Sequence, residues 1–274
     1  MSGSIDKTNK LYLLDNSTGR YDFVREVKYH DGFVLCIIPL INGEGFISAG
    51  RDNKIFQIDL EGNPVREFND HTAAVNSLSQ AINEEFVSGS WDGTAIVWDF
   101  ETGLAKEKLT GHTHATAVLT LANGITITGS QDKAIRLWFK GKQEKVIENA
   151  HDDIVRCFTE VPELNAFASC SNDETVKLWS LDGTHLIDYR GHSGFVFAVD
   201  TLETGEVVSG GDDCTVKIWK DGLCKQTIQM PKTVWTITHN KFGDLLVGCE
   251  DKTIRTFTRD IARQDHGDEF ALYE

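Results

Sequence analysis

The sequence predicts an all-β chain, a ring of repeated antiparallel sheets, and two observations carry that prediction. The first is a period. Residues 192–219 read HSGFVFAVDTLETGEVVSGGDDCTVKIW, with His192 ahead of an alternating run, Ser209 four residues before Asp213 and Trp219 six residues after it. The same spacing recurs at His71/Ser88/Asp92/Trp98, His112/Thr128/Asp132/Trp138 and His151/Ser169/Asp173/Trp179. The corresponding aspartates, Asp6, Asp52, Asp92, Asp132, Asp173, Asp213 and Asp251, stand 46, 40, 40, 41, 40 and 38 residues apart. The second observation is the pattern inside each unit. Short alternating runs are separated by turn signals such as GSWDGT at 89–94, SNDETV at 171–176 and GDDCTV at 211–216, which read as strands joined by tight turns. Asp suits such turns because its carboxylate bonds nearby backbone N–H groups. One such sheet cannot bury both of its faces, so neighbours stack around a ring.

Taken in order, residues 1–28 match the second half of a repeat, with Ser2, Asp6 and Tyr12 in the Ser, Asp and Trp positions and no preceding His or first strand. Two strands, the outer half of a first sheet, are expected from residues 9–28. Residues 29–69 form a divergent repeat with His30, Ser48 and Asp52 but Ile58 in the Trp position. Residues 70–111, 112–150, 151–191 and 192–230 are full copies. Residues 231–259 are the last, with Pro231 for His, Val247 for Ser and Phe257 for Trp, so packing is expected to hold this sheet in place of polar bonds. Turn signals punctuate the units at ETG 102–104, NG 123–124, DG 182–183 and 221–222, and FGD 242–244. Residues 260–274, DIARQDHGDEFALYE, break the pattern and read as an exit segment of one or two helical turns. The expected plan is seven sectors with the first incomplete and the last lacking an outer strand. The alternative is a closed ring of six, with residues 21–28 paired to 253–258. Seven is favoured because close-packed faces resist opening to a six-fold angle.

The repeated spacing resembles that of the WD-repeat family, whose fold is the β-propeller, over residues 1–259. The resemblance implies that His71, Ser88, Asp92 and Trp98, and likewise His112, Thr128, Asp132 and Trp138, His151, Ser169, Asp173 and Trp179, and His192, Ser209, Asp213 and Trp219, form hydrogen-bonded chains inside the blades. Buried polar sets are tolerable when every member finds a partner. These residues therefore read as scaffold. A catalytic triad needs one poised nucleophile, not the same trio in four repeats.

Composition narrows the function. At 274 residues, one large domain with a sizeable core is expected. The net charge of −15 speaks against nucleic acid as main partner, because phosphate neutralisation needs clustered Lys and Arg. It suits a basic partner through long-range steering, or solubility alone. The six cysteines, at 36, 157, 170, 214, 224 and 249, form no C-x-x-C and mostly sit in strand patterns, as small buried apolar residues do. There is no signal peptide and no apolar run of spanning length, so no membrane partner is expected. A reducing compartment follows, cytoplasm and nucleus. P-loop, nucleotide-binding and zinc spacings are missing. His112-x-His114 has no third ligand, HDD at 151–153 reads as a solvated loop, and Asp265, Asp268 and Glu269 read as a solvated tail. No nucleophile, base and oxyanion site assembles. Neither catalysis nor a metal or cofactor is expected.

What remains is a binding surface. In propellers the loops entering the innermost strands and the turns holding the Asp share one rim. Here the rim series supply Phe33, Arg51, Trp91, Arg156, Phe195, Phe197 and Trp235, and aromatics with Arg are the common anchors of interfaces. Tyr189, near an outer strand, is expected on the belt, outside the site. A closer resemblance lies in TIQMPKTVW at 227–235, with Pro in the His slot, in GDLLVGCED at 243–251, in IRTFTRD at 254–260 and in GSWDGTAIVW at 89–98. These runs are similar to the propeller of the phospholipase A-2-activating protein family, the ubiquitin-fusion-degradation adaptors. That resemblance implies a non-catalytic propeller that binds ubiquitin or ubiquitinated proteins in ubiquitin-dependent degradation. The family's contact with the valosin-containing AAA ATPase uses domains absent from this chain. An apolar patch ringed by basic residues on ubiquitin would meet an aromatic rim on an acidic domain. The runner-up is a generic WD-repeat scaffold binding a peptide motif of another partner. A third reading, a hydrolase at the channel mouth, lacks a nucleophile on the rim.

Overall fold

The structure is a computed structural model and describes residues 2–14, 21–80, 84–259 and 270–272. Asp265, Asp268 and Glu269 lie outside the described residues. The strands form seven sheets, one of three strands and six of four, and the chain forms two compact units, residues 1–148 and 149–274.

The first unit holds four sheets. The first sheet contains β1 (Ser2–Gly3), β2 (Asn9–Leu14) and β3 (Tyr21–Val27). The second contains β4 (Val34–Pro39), β5 (Gly45–Gly50), β6 (Ile55–Asp59) and β7 (Pro64–Phe68). The third contains β8 (Val75–Gln80), β9 (Glu85–Ser90), β10 (Ala95–Asp99) and β11 (Ala105–Leu109). The fourth contains β12 (Thr116–Thr120), β13 (Ile125–Ser130), β14 (Ile135–Phe139) and β15 (Lys142–Ile147). Each is an antiparallel meander in chain order. Second strands such as β5 are buried along their length, so they read as small and apolar residues without a polar face. Fourth strands carry the charge, as AKEKL in β11 and KQEKVI in β15. Within the unit β8 packs against β4 and β12. Ile47, Ile55 and Phe68 of the second sheet meet Val75, Phe86 and Trp98 of the third in one apolar cluster.

The second unit holds three sheets. The fifth contains β16 (Val155–Val161), β17 (Ala166–Ser171), β18 (Thr175–Ser180) and β19 (His185–Arg190), with a 3-10 turn at Pro162–Leu164 between its first two strands. The sixth contains β20 (Val196–Thr201), β21 (Val207–Gly211), β22 (Thr215–Lys220) and β23 (Leu223–Gln229). The seventh contains β24 (Val234–His239), β25 (Leu245–Cys249), β26 (Ile254–Thr258) and β27 (Phe270–Leu272). Here β20 packs against β16 and β24.

The favoured seven-sector plan is adopted, and three other expectations change. β3 pairs with β2, from Asn9↔Val27 to Leu14↔Tyr21, in a sheet of its own, so the seven-sheet plan is the one adopted. That sheet keeps a remnant of its second strand, β1, paired as Ser2↔Lys10 and Gly3↔Asn9, where two whole strands were expected to be missing. In the exit segment, residues 270–272 form a strand parallel to β26 in the outer position, where a helical turn was expected. Tyr189 is 2% exposed and lies against Trp219 with ring centroids 5.6 Å apart, not on a solvated belt. No helix among the described residues is long and apolar enough to cross a membrane.

Candidate functional site

Hydrogen bonds join the polar sets into chains. In the third sheet Trp98 Nε1–H donates to Ser88 Oγ at 2.7 Å, Ser88 lies 2.7 Å from His71 Nε2, and His71 Nδ1 lies 2.9 Å from Asp92. The fourth sheet repeats this with Trp138, Thr128, His112 and Asp132 at 2.8, 2.8 and 2.9 Å. In the fifth, Trp179, Ser169, His151 and Asp173 stand at 2.9, 2.7 and 2.8 Å. In the sixth, Trp219, Ser209, His192 and Asp213 stand at 2.7, 2.7 and 2.8 Å. In the third, fifth and sixth sheets one proton arrangement serves the chain: indole N–H to hydroxyl, hydroxyl to Nε2, Nδ1–H to carboxylate; in the fourth, Arg136 Nη1 also stands 2.6 Å from His112 Nδ1. Burial pushes the His71, His151 and His192 pKa values down, outweighing the neighbouring aspartates, so these imidazoles are neutral. Burial pushes Asp92 up, but hydrogen bonds from Thr94, His71 and the Thr72 N–H outweigh it and hold the carboxyl at about 2. Ser88, Thr128, Ser169 and Ser209 are all fully buried, so a substrate cannot reach these hydroxyls.

Both divergent sheets replace what they lack. Where Ile58 stands for Trp, Asn9 of the first sheet supplies the missing donor, its Nδ2 lying 3.2 Å from Ser48 Oγ. In the seventh sheet Val247 and Phe257 join an apolar cluster, and Asp251 binds the Arg255 guanidinium at 2.7 Å in place of a histidine.

These chains fix the turns, and the turns build an edge. The residue after each turn Asp has a positive φ: Lys7, Asn53, Gly93, Lys133, Glu174, Cys214 and Lys252. The residue before the Asp donates its N–H to the loop entering the sheet. Arg51 bonds Phe33 O at 2.8 Å, Trp91 bonds Ala74 O at 2.9 Å, Asn172 bonds Ile154 O at 3.0 Å, Asp212 bonds Phe195 O at 2.8 Å and Glu250 bonds Thr233 O at 2.9 Å. The entering strands are bulged. Their register shifts at Val34/Cys36, Val75/Ser77, Val155/Cys157, Val196/Ala198 and Val234/Thr236. The skipped residues are Leu35, Asn76, Arg156, Phe197 and Trp235. A bulge leaves its extra residue out of the ladder and re-aims the side chain.

The predicted rim residues gather in two groups, one in each unit. In the first unit the Arg51 guanidinium lies 5.6 Å from both the Phe33 and Trp91 ring centroids, joining the second sheet to the third. Trp91 is 47% and Phe33 36% exposed. In the second unit Phe197 stacks on Trp235 with centroids 4.6 Å apart and planes 21° off parallel. Phe195 meets Phe197 edge-on at 6.2 Å, and Arg156 lies 5.6 Å over the Phe197 ring. Trp235 is 53% and Phe195 42% exposed, while Phe197 is half-buried between them. Each pair of this kind contributes about 0.5–1.5 kcal/mol beyond area burial, so the exposed rings are held in place. Reading the sequence missed the role of Asn172, whose Oδ1 accepts from Arg156 Nε–H at 2.7 Å. It also missed the bulges. A signal existed: His112 and Thr128 are one residue closer than His71 and Ser88, and that sheet alone pairs its first two strands without a register shift among those from the second to the seventh. Among the described residues no three His, Cys, Asp or Glu side chains gather as a metal site. His112 is held by Thr128 and Asp132, and His114 lies 2.7 Å from the Thr113 hydroxyl.

Comparison with known proteins follows the same lines. The family described as "WD domain, G-beta repeat" matches residues 62–99, 104–138, 141–180, 183–220 and 222–257. The chain is 38% identical over 244 residues to the Ubiquitin homeostasis protein lub1 of Schizosaccharomyces pombe, a match covering 85% of this chain and 33% of that protein. It is 33% identical over 159 residues to the Ribosome biogenesis protein WDR12 homolog of Nematostella vectensis, covering 55% of this chain and 38% of that one. The chain thus spans about a third of the length of these relatives. The crystal structure of the WD40 beta propeller domain of Doa1 superposes with a TM-score of 0.85 at 30% identity, covering 95% of this chain and 89% of that one. The seven sheets are those of a seven-bladed β-propeller.

Proposed function

Because this chain belongs to the WD-domain, G-beta repeat family, we propose that it is a non-catalytic ubiquitin-binding propeller of an adaptor in ubiquitin-dependent degradation. The observation that carries this reading is the pair of ordered, solvent-exposed aromatic and guanidinium clusters on the loop edge. Rigid aromatic anchors beside Arg are the usual hot spots of protein interfaces, and loops on a rigid scaffold are where binding concentrates. The 38% match to a ubiquitin homeostasis protein supports ubiquitin as the partner. So does the charge of −15, opposite to the basic ring around ubiquitin's apolar patch. The polar sets are committed to holding the turns, which supports a scaffold over a hydrolase. The working compartment is the cytoplasm and nucleus, and the ATPase contact falls to other domains of such adaptors.

Titration of isotope-labelled protein with ubiquitin tests the reading. Trp91→Ala and Phe195→Ala each weaken binding about tenfold or more. Leu223→Ala, 61% exposed on the outer strand β23, leaves binding unchanged. Shifts confined to outer-strand residues would sink the assignment.

A further inference from the structure

We propose that Arg156 is a carboxylate receptor which, with Phe195, Phe197 and Trp235, forms a subsite for an acidic side chain standing next to an apolar one on the partner protein. This rests on the reading of the loop edge as a protein-docking surface and adds the chemistry the partner must present there.

The chain carries 42 Asp and Glu against 27 Lys and Arg, so an arginine has many internal acids to pair with. Four do so: Arg136 with Asp132 at 3.1 Å, Arg190 with Asp188 at 2.8 Å, Arg255 with Asp251 at 2.7 Å and Arg259 with Glu206 at 2.8 Å. Arg156 does not. It spends Nε–H on Asn172 at 2.7 Å, and among the described residues Nη1 and Nη2 meet no acceptor and no carboxylate. Burial lowers its pKa, with Asp153 too distant for an ion pair, yet a guanidinium stays charged. Three restraints fix the fork: the bulge between Val155 and Cys157, the bond to Asn172 and the stack on Phe197. A planar fork with two free NH2 groups matches a carboxylate bidentately, and pre-ordering reduces the entropy lost on binding. Arg51 has no such hydrogen bond to set its plane, so the assignment falls on Arg156.

Beside the fork lies the apolar half of the subsite, the stacked Phe197 and Trp235 rings with Phe195 edge-on. The other flank is acidic. Asp212 bonds Phe195 O through its N–H and accepts from the Thr233 hydroxyl at 3.3 Å, and Glu250 bonds Thr233 O. The platform therefore offers a cation at Arg156 and an anion at Asp212, which orients a bound segment with its acid toward Arg156 and any base toward Asp212.

The test uses two acetylated, amidated tripeptides, Leu-Glu-Leu and Leu-Gln-Leu, titrated into isotope-labelled protein at low salt. The Glu peptide is expected to shift the Trp235 indole and Arg156 Nε signals and to bind about tenfold more tightly than the Gln peptide. Arg156→Gln abolishes that preference, so that the two peptides bind alike. Arg156→Lys, which keeps the charge without the fork, retains only part of it. Asn172→Ala, which frees the fork, lowers Glu-peptide affinity alone. Equal binding of the two peptides, no shift at millimolar Glu peptide, or an intact preference in Arg156→Gln would overturn the proposal. A parallel ubiquitin titration separates the two readings. Glu preference without ubiquitin binding removes ubiquitin and keeps the subsite. Ubiquitin binding without Glu preference does the reverse.

Discussion

Each turn carboxylate gathers several donors into one short segment. Asp132 takes the His112 ring, the Ala134 N–H at 3.1 Å and the Arg136 guanidinium at 3.1 Å. Asp132→Ala leaves these donors unpaired, two of them on side chains nearly out of water, and is expected to cost about 1–3 kcal/mol by denaturant unfolding. Lost binding without lost stability would contradict this. Acid should weaken the fold for the same reason. The depressed carboxyls of Asp92, Asp132 and Asp213 contribute stability that is present above about pH 4 and lost as pH falls through their folded values. For Asp92, at about 2, this amounts to roughly 2 kcal/mol. The depressed His71, His151 and His192 contribute stability that is complete above about pH 6.5 and lost below it. His239, bonded to Asp200 at 2.8 Å and raised by that bond, has the opposite sign, its contribution fading as pH rises. It is one partly exposed group against three buried ones. The urea midpoint should therefore drop between pH 7.5 and 5, and a flat or rising midpoint would refute the assignment of neutral histidines.

At the scale of the element, the turn and the bulge decide what each sheet presents. Gly93 has φ +83°, and a Cβ there would stand 3.0 Å from His112 O. Gly93→Ala should destabilise by about 1–2 kcal/mol, through left-handed strain added to that contact; an unchanged denaturation midpoint would show that the turn relaxes. The seventh sheet offers a contrast. Asp251 and Arg255 are each about a quarter to a third exposed, so their pair is screened by water. Asp251→Ala is expected to cost at most about 1 kcal/mol, clearly less than Asp132→Ala, when both are measured by the same unfolding transition. Pro231, Val247 and Phe257 already announced a sheet without the polar chain. The arginine that replaces the histidine could be recognised only once β26 was paired with β25.

For the molecule as a whole, the proposed function implies that the charge of −15 sets how ubiquitin arrives and the aromatic clusters set how it stays. Association with ubiquitin should slow as salt rises, because screening shortens the reach of the field to about 8 Å at physiological ionic strength. Trp91→Ala and Phe195→Ala should instead raise the dissociation rate. Stopped-flow traces at two salt concentrations separate these effects, and a salt-independent association rate would remove steering from the account.

The sequence by itself determined the repeat, the seven turn aspartates and the residue types offered to the loop edge, and its resemblance to the WD-repeat family implied the polar chains. Those features follow from interactions contained within one repeat: a carboxylate capping its own turn, a hydroxyl placed ten residues before an indole. Tertiary structure alone decided the rest. Tyr189 reads as an outer-strand residue, yet its ring is buried against Trp219 of the next sheet. Asn9 sits where no spacing points to Ser48, and the donor role passes to it across two sheets. Phe33, Arg51 and Trp91 form one cluster, and Arg156, Phe195, Phe197 and Trp235 another, because bulges turn single side chains out of the ladder and neighbouring sheets bring them together. Such contacts depend on strand register and on how one sheet stacks on the next, and a one-residue shift in register moves a side chain to the other face.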